Sequence, residues 1–307
     1  MKLNLYQKTA ITTVFATLFL IFVGGLVRAS GAGLGCPDWP RCFGNWIPPL
    51  SASDLPSQFD PSQFNVLKTW TEYINRLVGV TIGLLITATF VLSFRYRKTQ
   101  PPIFYSSFAA FILVIFQGWL GGQVVKTGLS VWIISIHMIL ALLIVNFLMY
   151  AAFKATSDFI KIDIIERLRK KLYWVGILLL VLTTIQLVIG TQVREEIDVL
   201  KEAVFLTPRS TWLVKVGDVF KVHRTYSWVI LVSGIYLAFI IWKEKAGGML
   251  RKLGYGNLLL IVLQIAIGVG LQYLDIPPVL QVFHLVGVSL MVCTQFLFLL
   301  TLRLRTQ

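Results

Sequence analysis

Three histidines, His137, His223 and His284, are the only imidazoles in the 307-residue chain, and each lies inside an apolar block. A polar ring in lipid is costly, and such residues mark cofactor, ion or substrate sites. His223 stands a few residues into its block and His284 six residues past Pro278. At about 1.5 Å of rise per residue, the two rings come to similar depths, within about one helical turn. Two imidazoles facing each other across a bundle can hold one iron from opposite sides, and bundle cores commonly house such cofactors. The pattern points to a bis-imidazole heme at His223 and His284. The rivals are a pair of unrelated, hydrogen-bonded core histidines and a zinc site. For zinc, no carboxylate or cysteine stands at a spacing that would complete a tetrahedron.

Other residues extend the pattern. Arg28, Arg76, Arg194 and Arg224 all sit at the ends of apolar blocks. A guanidinium can grip a heme propionate through two parallel hydrogen bonds, although an arginine at a membrane boundary can also simply snorkel. Arg28 and Arg76 would serve an N-terminal pocket with His137 and Asn75, while Arg194 and Arg224 would serve the His223/His284 site. Glu72 precedes Asn75 by three residues and shares its helix face. A buried carboxylate there could accept a proton; the plainer reading is a charge favoured by the helix N-terminus. Cys36 and Cys42 flank Pro37-Asp38-Trp39-Pro40-Arg41. Outside the cytoplasm they would form a disulfide, with a free redox-active dithiol as the alternative. Cys293, inside an apolar block, reads as an inert core thiol.

The elements that must position these groups are membrane helices. Hydrophobic residues make up 56% of the chain and charged residues 14%, against about 45–50% and about 25% in soluble domains. The excess falls in blocks near the twenty residues or so that a helix needs to cross a bilayer, and a backbone in lipid must satisfy its own hydrogen bonds. We read eight spans, at about 9–29, 69–94, 103–124, 131–153, 171–192, 219–242, 254–273 and 278–302. The first is too long, and too close to Arg28, to read as a cleaved signal.

The net charge of +14 does not point to nucleic acid, because the basic residues lie between apolar blocks. The N-terminus, the connections 95–102, 154–170 and 243–253 with their flanking residues, and the C-terminus hold 17 basic and four acidic residues, among them Lys161 and Arg305. The other side holds 11 basic and 10 acidic residues, so the first side reads as cytoplasmic, with both termini inside. Two long outer loops, 30–68 and 193–218, are placed to cap a site.

The chain also reads as two copies of a four-helix unit, residues 1–157 and 158–307. Gly24-Gly25-Leu26-Val27-Arg28 matches Ile189-Gly190-Thr191-Gln192-Val193-Arg194, and Asn75-Arg76 matches His223-Arg224. Gln117 precedes His137 by 20 residues, and Gln264 precedes His284 by 20. The expected fold is an all-α integral membrane protein with eight transmembrane helices in two repeated four-helix bundles.

The run Gly24–Arg28, the segment Gly31-Ala32-Gly33-Leu34, then Cys36-Pro37-Asp38-Trp39-Pro40 and Pro48-Pro49 closely resemble the first helix and outer loop of the heme A synthase family. Glu72-Tyr73-Ile74-Asn75-Arg76 resembles that family's Glu-x-x-His-Arg motif, and His137, His223-Arg224 and His284 fall where the family places its other histidines. The resemblance spans nearly the whole chain. It implies an enzyme that oxidises a ring methyl of heme O to a formyl group, giving heme A for terminal oxidases. A permanent heme b would sit between His223 and His284 and relay electrons. The substrate heme would lie by Glu72 and His137 in the N-terminal half, and Cys36 and Cys42 would be linked or redox-active. Heme O synthase and an oxidase assembly system are the implied partners, beside the lipid bilayer. The chain departs from the motif at Asn75, which leaves His137 as the only imidazole for the substrate. The competing readings are a non-catalytic b-type cytochrome, a heme carrier or assembly factor, and a transporter.

Overall fold

The computed structural model describes residues 2–160, 162–202 and 211–304. Lys161, Arg305 and the 203–210 part of the expected second outer loop lie outside the described residues. The long helices are α1 (Leu5–Ser30), α2 (Val66–Ser93), α3 (Pro101–Lys126), α4 (Val131–Thr156) and α5 (Glu166–Glu202). After a short α6 (Trp212–Val216) come α7 (Asp218–Lys243), α8 (Gly248–Tyr273) and α9 (Pro278–Leu302). Among the described residues, eight helices, all but α6, are long and apolar enough to cross a membrane. The protein is an all-helical, multi-pass membrane protein. Phe15, Leu84, Trp119, Val232 and Leu259 point outward, as expected where lipid and not water is the solvent.

The helix ends follow local chemistry. Asn4 and Gln7 form a reciprocal capping box: the Gln7 N–H donates to Asn4 Oδ1 and the Asn4 N–H to Gln7 Oε1. At the other end Gly31, with φ of 70°, closes α1. Proline opens α3 and α9, where a missing N–H leaves nothing unsatisfied. One expectation is corrected. The fifth span does not stop near 192 but continues as helix through Glu202, so the start of the expected loop 193–218 is helical. Val193 and Ile197 keep an apolar face that packs on Trp212, Val216 and Ile276. Arg194 and Asp198 pair along the same extension.

The chain divides into two compact units, Met1–Ala155 and Thr156–Gln307. In the first, α1 packs on α2 and α2 on α3. Polar contacts bind them further: Thr13 to Thr89 at 2.9 Å, Tyr6 to Ser107 at 2.9 Å, and Gln7 Nε2 donating to Ala155 O at the end of α4. In the second unit, α5 packs on α7 and α9, and α8 packs on both of these as well, closing a ring. Leu172, Leu179, Leu237, Ile241, Ile261 and Phe298 fill its core. Gly234 lets α7 and α8 approach closely, since a Cβ there would lie 2.5 Å from Ile261 Cδ1.

The 30–68 loop folds over the end of the first unit where α1 finishes and α2 begins. Cys36 and Cys42 form a disulfide. The Asp38 carboxylate accepts from the backbone N–H groups of Phe43 and Gly44, and Phe43 packs edge-on to Phe59 and Phe64. Gly35 passes so close to the Lys68 carbonyl that no side chain fits there, and Thr69 donates to Gly35 O. Trp39 lies over Gly122 of α3, where a Cβ would meet the indole at 2.9 Å. On the exposed flank of the loop, the Ser62 hydroxyl and amide hold the Asp60 carboxyl below its usual range.

Candidate functional site

His223 lies near the start of α7 and His284 near the start of α9, helices that share the α5 and α8 neighbours. Their ring centres are 6.3 Å apart with planes at 66°. Two imidazoles bound to one metal from opposite sides, each through a bond of about 2.0–2.1 Å, hold their ring centres about 6 Å apart. The Nδ1 atoms of both rings are buried and have no hydrogen-bond partner. Small residues on the facing helices make the room: a Cβ on Gly190 would lie 3.1 Å from His223 Cε1, and one on Gly268 3.8 Å from His284 Cε1. The donor set suits a metal already held by a macrocycle. Among the described residues no three His, Cys, Asp or Glu side chains converge, fewer than the four ligands of a structural tetrahedral zinc site. Two neutral imidazoles are what a porphyrin iron needs to complete its axial positions.

The N-terminal unit holds the other predicted residues. His137 lies on α4 against Gly121 of α3, where a Cβ would sit 3.5 Å from its Cε1. Its backbone carbonyl accepts from Gln117 Nε2 at 2.9 Å, and its Nδ1 is buried without a partner. Glu72 is buried on α2 and pairs with Arg76 one turn later at 3.1 Å. Asn75 lies between them in sequence and is half-buried.

The four predicted arginines have distinct partners. Arg76 donates to Glu72 and to the carbonyls of Cys36, Asp38 and Arg41. It therefore fastens the disulfide loop to α2 and orients the buried carboxylate. Arg194 pairs with Asp198 and donates to Gln281 Oε1 of α9. Arg224 stacks its guanidinium over Phe220 at 5.8 Å. Arg28 reaches Met138 Sδ, one residue past His137. Sequence reasoning missed Gln186, whose Nε2 donates to His223 O at 2.8 Å. The signal was present, because Gln186 precedes Gly190 by the same four residues that separate Gln264 from Gly268.

The COX15-CtaA family of cytochrome oxidase assembly proteins matches residues 7–296 of the chain. The chain belongs to this family. A heme A synthase of Orientia tsutsugamushi strain Ikeda is 24% identical over 94% of the chain and 93% of its own length. A heme A synthase of Wolbachia pipientis wMel is 25% identical over 94% of the chain and 90% of its own length. That of Shewanella oneidensis is 34% identical over 42% of the chain and 39% of its own length. The family resemblance read from the Gly24–Arg28 run and the disulfide loop therefore holds. So do the eight spans and the Cys36–Cys42 bond. COX15-CtaA membership places the histidine pair and the capped, carboxylate-bearing unit in a protein of the heme A synthase family.

Proposed function

We propose that the protein is a heme A synthase: it oxidises one ring methyl of heme O to the formyl group of heme A. The observation that carries this reading is the 6.3 Å separation of the His223 and His284 rings, in a member of this family. These two residues would hold a heme b, which would supply one-electron transfer. The substrate heme lies in the N-terminal unit beside His137, Asn75 and Glu72. Two successive two-electron oxidations by an oxidant from outside the protein, each replacing one methyl C–H with C–OH, give the hydroxymethyl group and then a geminal diol, and loss of water leaves the aldehyde. Glu72 takes up a proton at its Oε atoms, and Arg76 orients that carboxylate. The Cys36–Cys42 loop is tied to α2 beside Glu72 through the Arg76 hydrogen bonds to its carbonyls.

Both termini face the cytoplasm and the two heme positions lie toward the outer face, as the basic connections favour. Arg28 and Arg76 in the first unit, and Arg194 and Arg224 in the second, lie near the ends of their helices and provide positive charge for propionates. Heme O synthase supplies the substrate, and a terminal oxidase receives the product.

The test is co-expression with a heme O synthase, followed by extraction and chromatography of the pigments. Wild-type protein yields heme A. Glu72→Gln keeps its bound heme and loses heme A formation by about 10²–10⁴-fold, the range of a general acid–base group. Protoheme alone from the wild type, with a low-spin spectrum, would make the protein an electron-carrying cytochrome instead.

A further inference from the structure

Each histidine is faced by one short pattern on a neighbouring helix. Gln117-x-x-x-Gly121 on α3 faces His137, Gln186-x-x-x-Gly190 on α5 faces His223, and Gln264-x-x-x-Gly268 on α8 faces His284. In every case the glutamine Nε2 points to a backbone carbonyl at the histidine: His137 O at 2.9 Å, His223 O at 2.8 Å, and Phe283 O, just before His284, at 3.5 Å. The glycine one turn later lies against the ring Cε1. Two sets of unsatisfied atoms remain. Oε1 of Gln117, Gln186 and Gln264 is buried without a partner, and so is Nδ1 of His137, His223 and His284. A neutral imidazole that offers Nε2 to a metal carries its proton on Nδ1, so the ring is a donor there and the amide oxygen an acceptor.

We propose that Gln117, Gln186 and Gln264 are positioning residues, each placed to accept a hydrogen bond from the Nδ1–H of the imidazole it faces when Nε2 binds heme iron, a bond that is not made in this structure. That bond fixes the tautomer and rotation of the ring and raises its basicity toward heme iron. The inference rests on the heme reading above. The chain carries its own comparison. In the fourth helix pair, the position matching Gln186 is Leu20, four residues before Gly24, and the position matching His223 is Asn75. Glutamine and histidine are missing together. A glutamine serving an imidazole explains that coincidence, whereas one serving helix packing alone does not.

The experiment compares Gln186→Met and Gln186→Glu in the full-length protein, reading heme content and the midpoint potential of the low-spin heme by redox titration. Methionine removes the acceptor; the potential rises and heme affinity falls by about 10–100-fold. Glutamate is a stronger, charged acceptor, and the potential falls. Gln264→Met and Gln264→Glu give the same opposed pair and serve if a Gln186 variant does not accumulate. Gln295→Met, which removes a buried amide bonded to Thr183 and Asn257 and to no histidine, leaves the potential unchanged. Shifts of one sign in both substitutions, or none in either with heme retained, would reduce the glutamines to helix packing and overturn the proposal. Failure of the heme reading looks different: the wild type carries no low-spin heme, or keeps it when His223 and His284 are both replaced by alanine.

Discussion

The C-terminal unit brings two imidazoles, His223 and His284, within 6.3 Å of each other. The N-terminal unit offers one, His137, with Asn75 at the position that matches His223. The N-terminal unit also carries what the other lacks among its described residues: a buried carboxylate paired with arginine, and a disulfide loop whose carbonyls that same arginine holds. A resident electron carrier gains from two axial ligands, which keep its iron in one coordination through both redox states. A substrate must enter, react at the edge of its ring and leave, and a single imidazole suits that traffic better. Amide oxygen or nitrogen is a poor partner for porphyrin iron, so Asn75 does not restore the second ligand. On this reading the two units differ in how tightly they grip the same kind of ring.

The largest effect should separate the units outright. Alanine at His223 or at His284 abolishes the low-spin absorption spectrum, while His137→Ala preserves that spectrum and lowers heme A output. Optical spectra and pigment extraction on the same membranes read both quantities. Loss of the low-spin signal in His137→Ala, with its retention in His284→Ala, would exchange the roles of the two units.

The next effect is a gain of ligation. Asn75→His with Leu20→Gln rebuilds the missing quarter of the pattern, an imidazole with an amide facing it. The substrate-loaded protein then shows a second low-spin component, and the N-terminal unit binds heme about 10-fold or more tightly. Asn75→His alone gives a smaller change, since its Nδ1–H finds no amide oxygen. Electron paramagnetic resonance distinguishes one low-spin species from two. An unaltered spectrum in the double variant would mean that position 75 does not face the substrate iron.

Much of this was legible in the sequence. The eight spans followed from the length of the apolar blocks, and the histidines stood out because a membrane interior tolerates so few polar groups. For Cys36 and Cys42 the sequence left a disulfide and a free dithiol both open, and the structure joins them. Two features were hidden, each for a physical reason. The extension of α5 through Glu202 rests on Val193 and Ile197 meeting Trp212 and Ile276, a tertiary contact that a run containing Arg194, Glu195 and Glu196 does not advertise. The partners of Arg76 were hidden because they are backbone carbonyls of the loop, and carbonyls carry no sequence signal. The propionate role first read for Arg76 therefore has to share a guanidinium already bonded to Glu72 and three peptide groups.

The smallest effect is also the most graded, and it tests the seats one by one. A Cβ added at Gly190 lies 3.1 Å from the facing imidazole Cε1, at Gly121 3.5 Å, at Gly268 3.8 Å, and at Gly24 it meets nothing within 4 Å. Replacing glycine with alanine inside a helix favours the helix by up to about 1 kcal/mol, a gain common to all four positions. Against that background, only the clash differs. Gly190→Ala must push the His223 ring aside by a few tenths of an ångström, and heme retention in dilution or competition assays falls several-fold. Gly268→Ala makes an ordinary van der Waals contact and changes little in the same unit and the same assay. In the N-terminal unit, Gly121→Ala weakens substrate heme binding slightly, while Gly24→Ala leaves it unchanged because Asn75 presents no ring to displace. Equal effects at Gly190 and Gly268, or a larger effect at Gly24 than at Gly121, would show that ring clearance does not set heme affinity, and the difference between the units would then have to lie in the loop and Glu72.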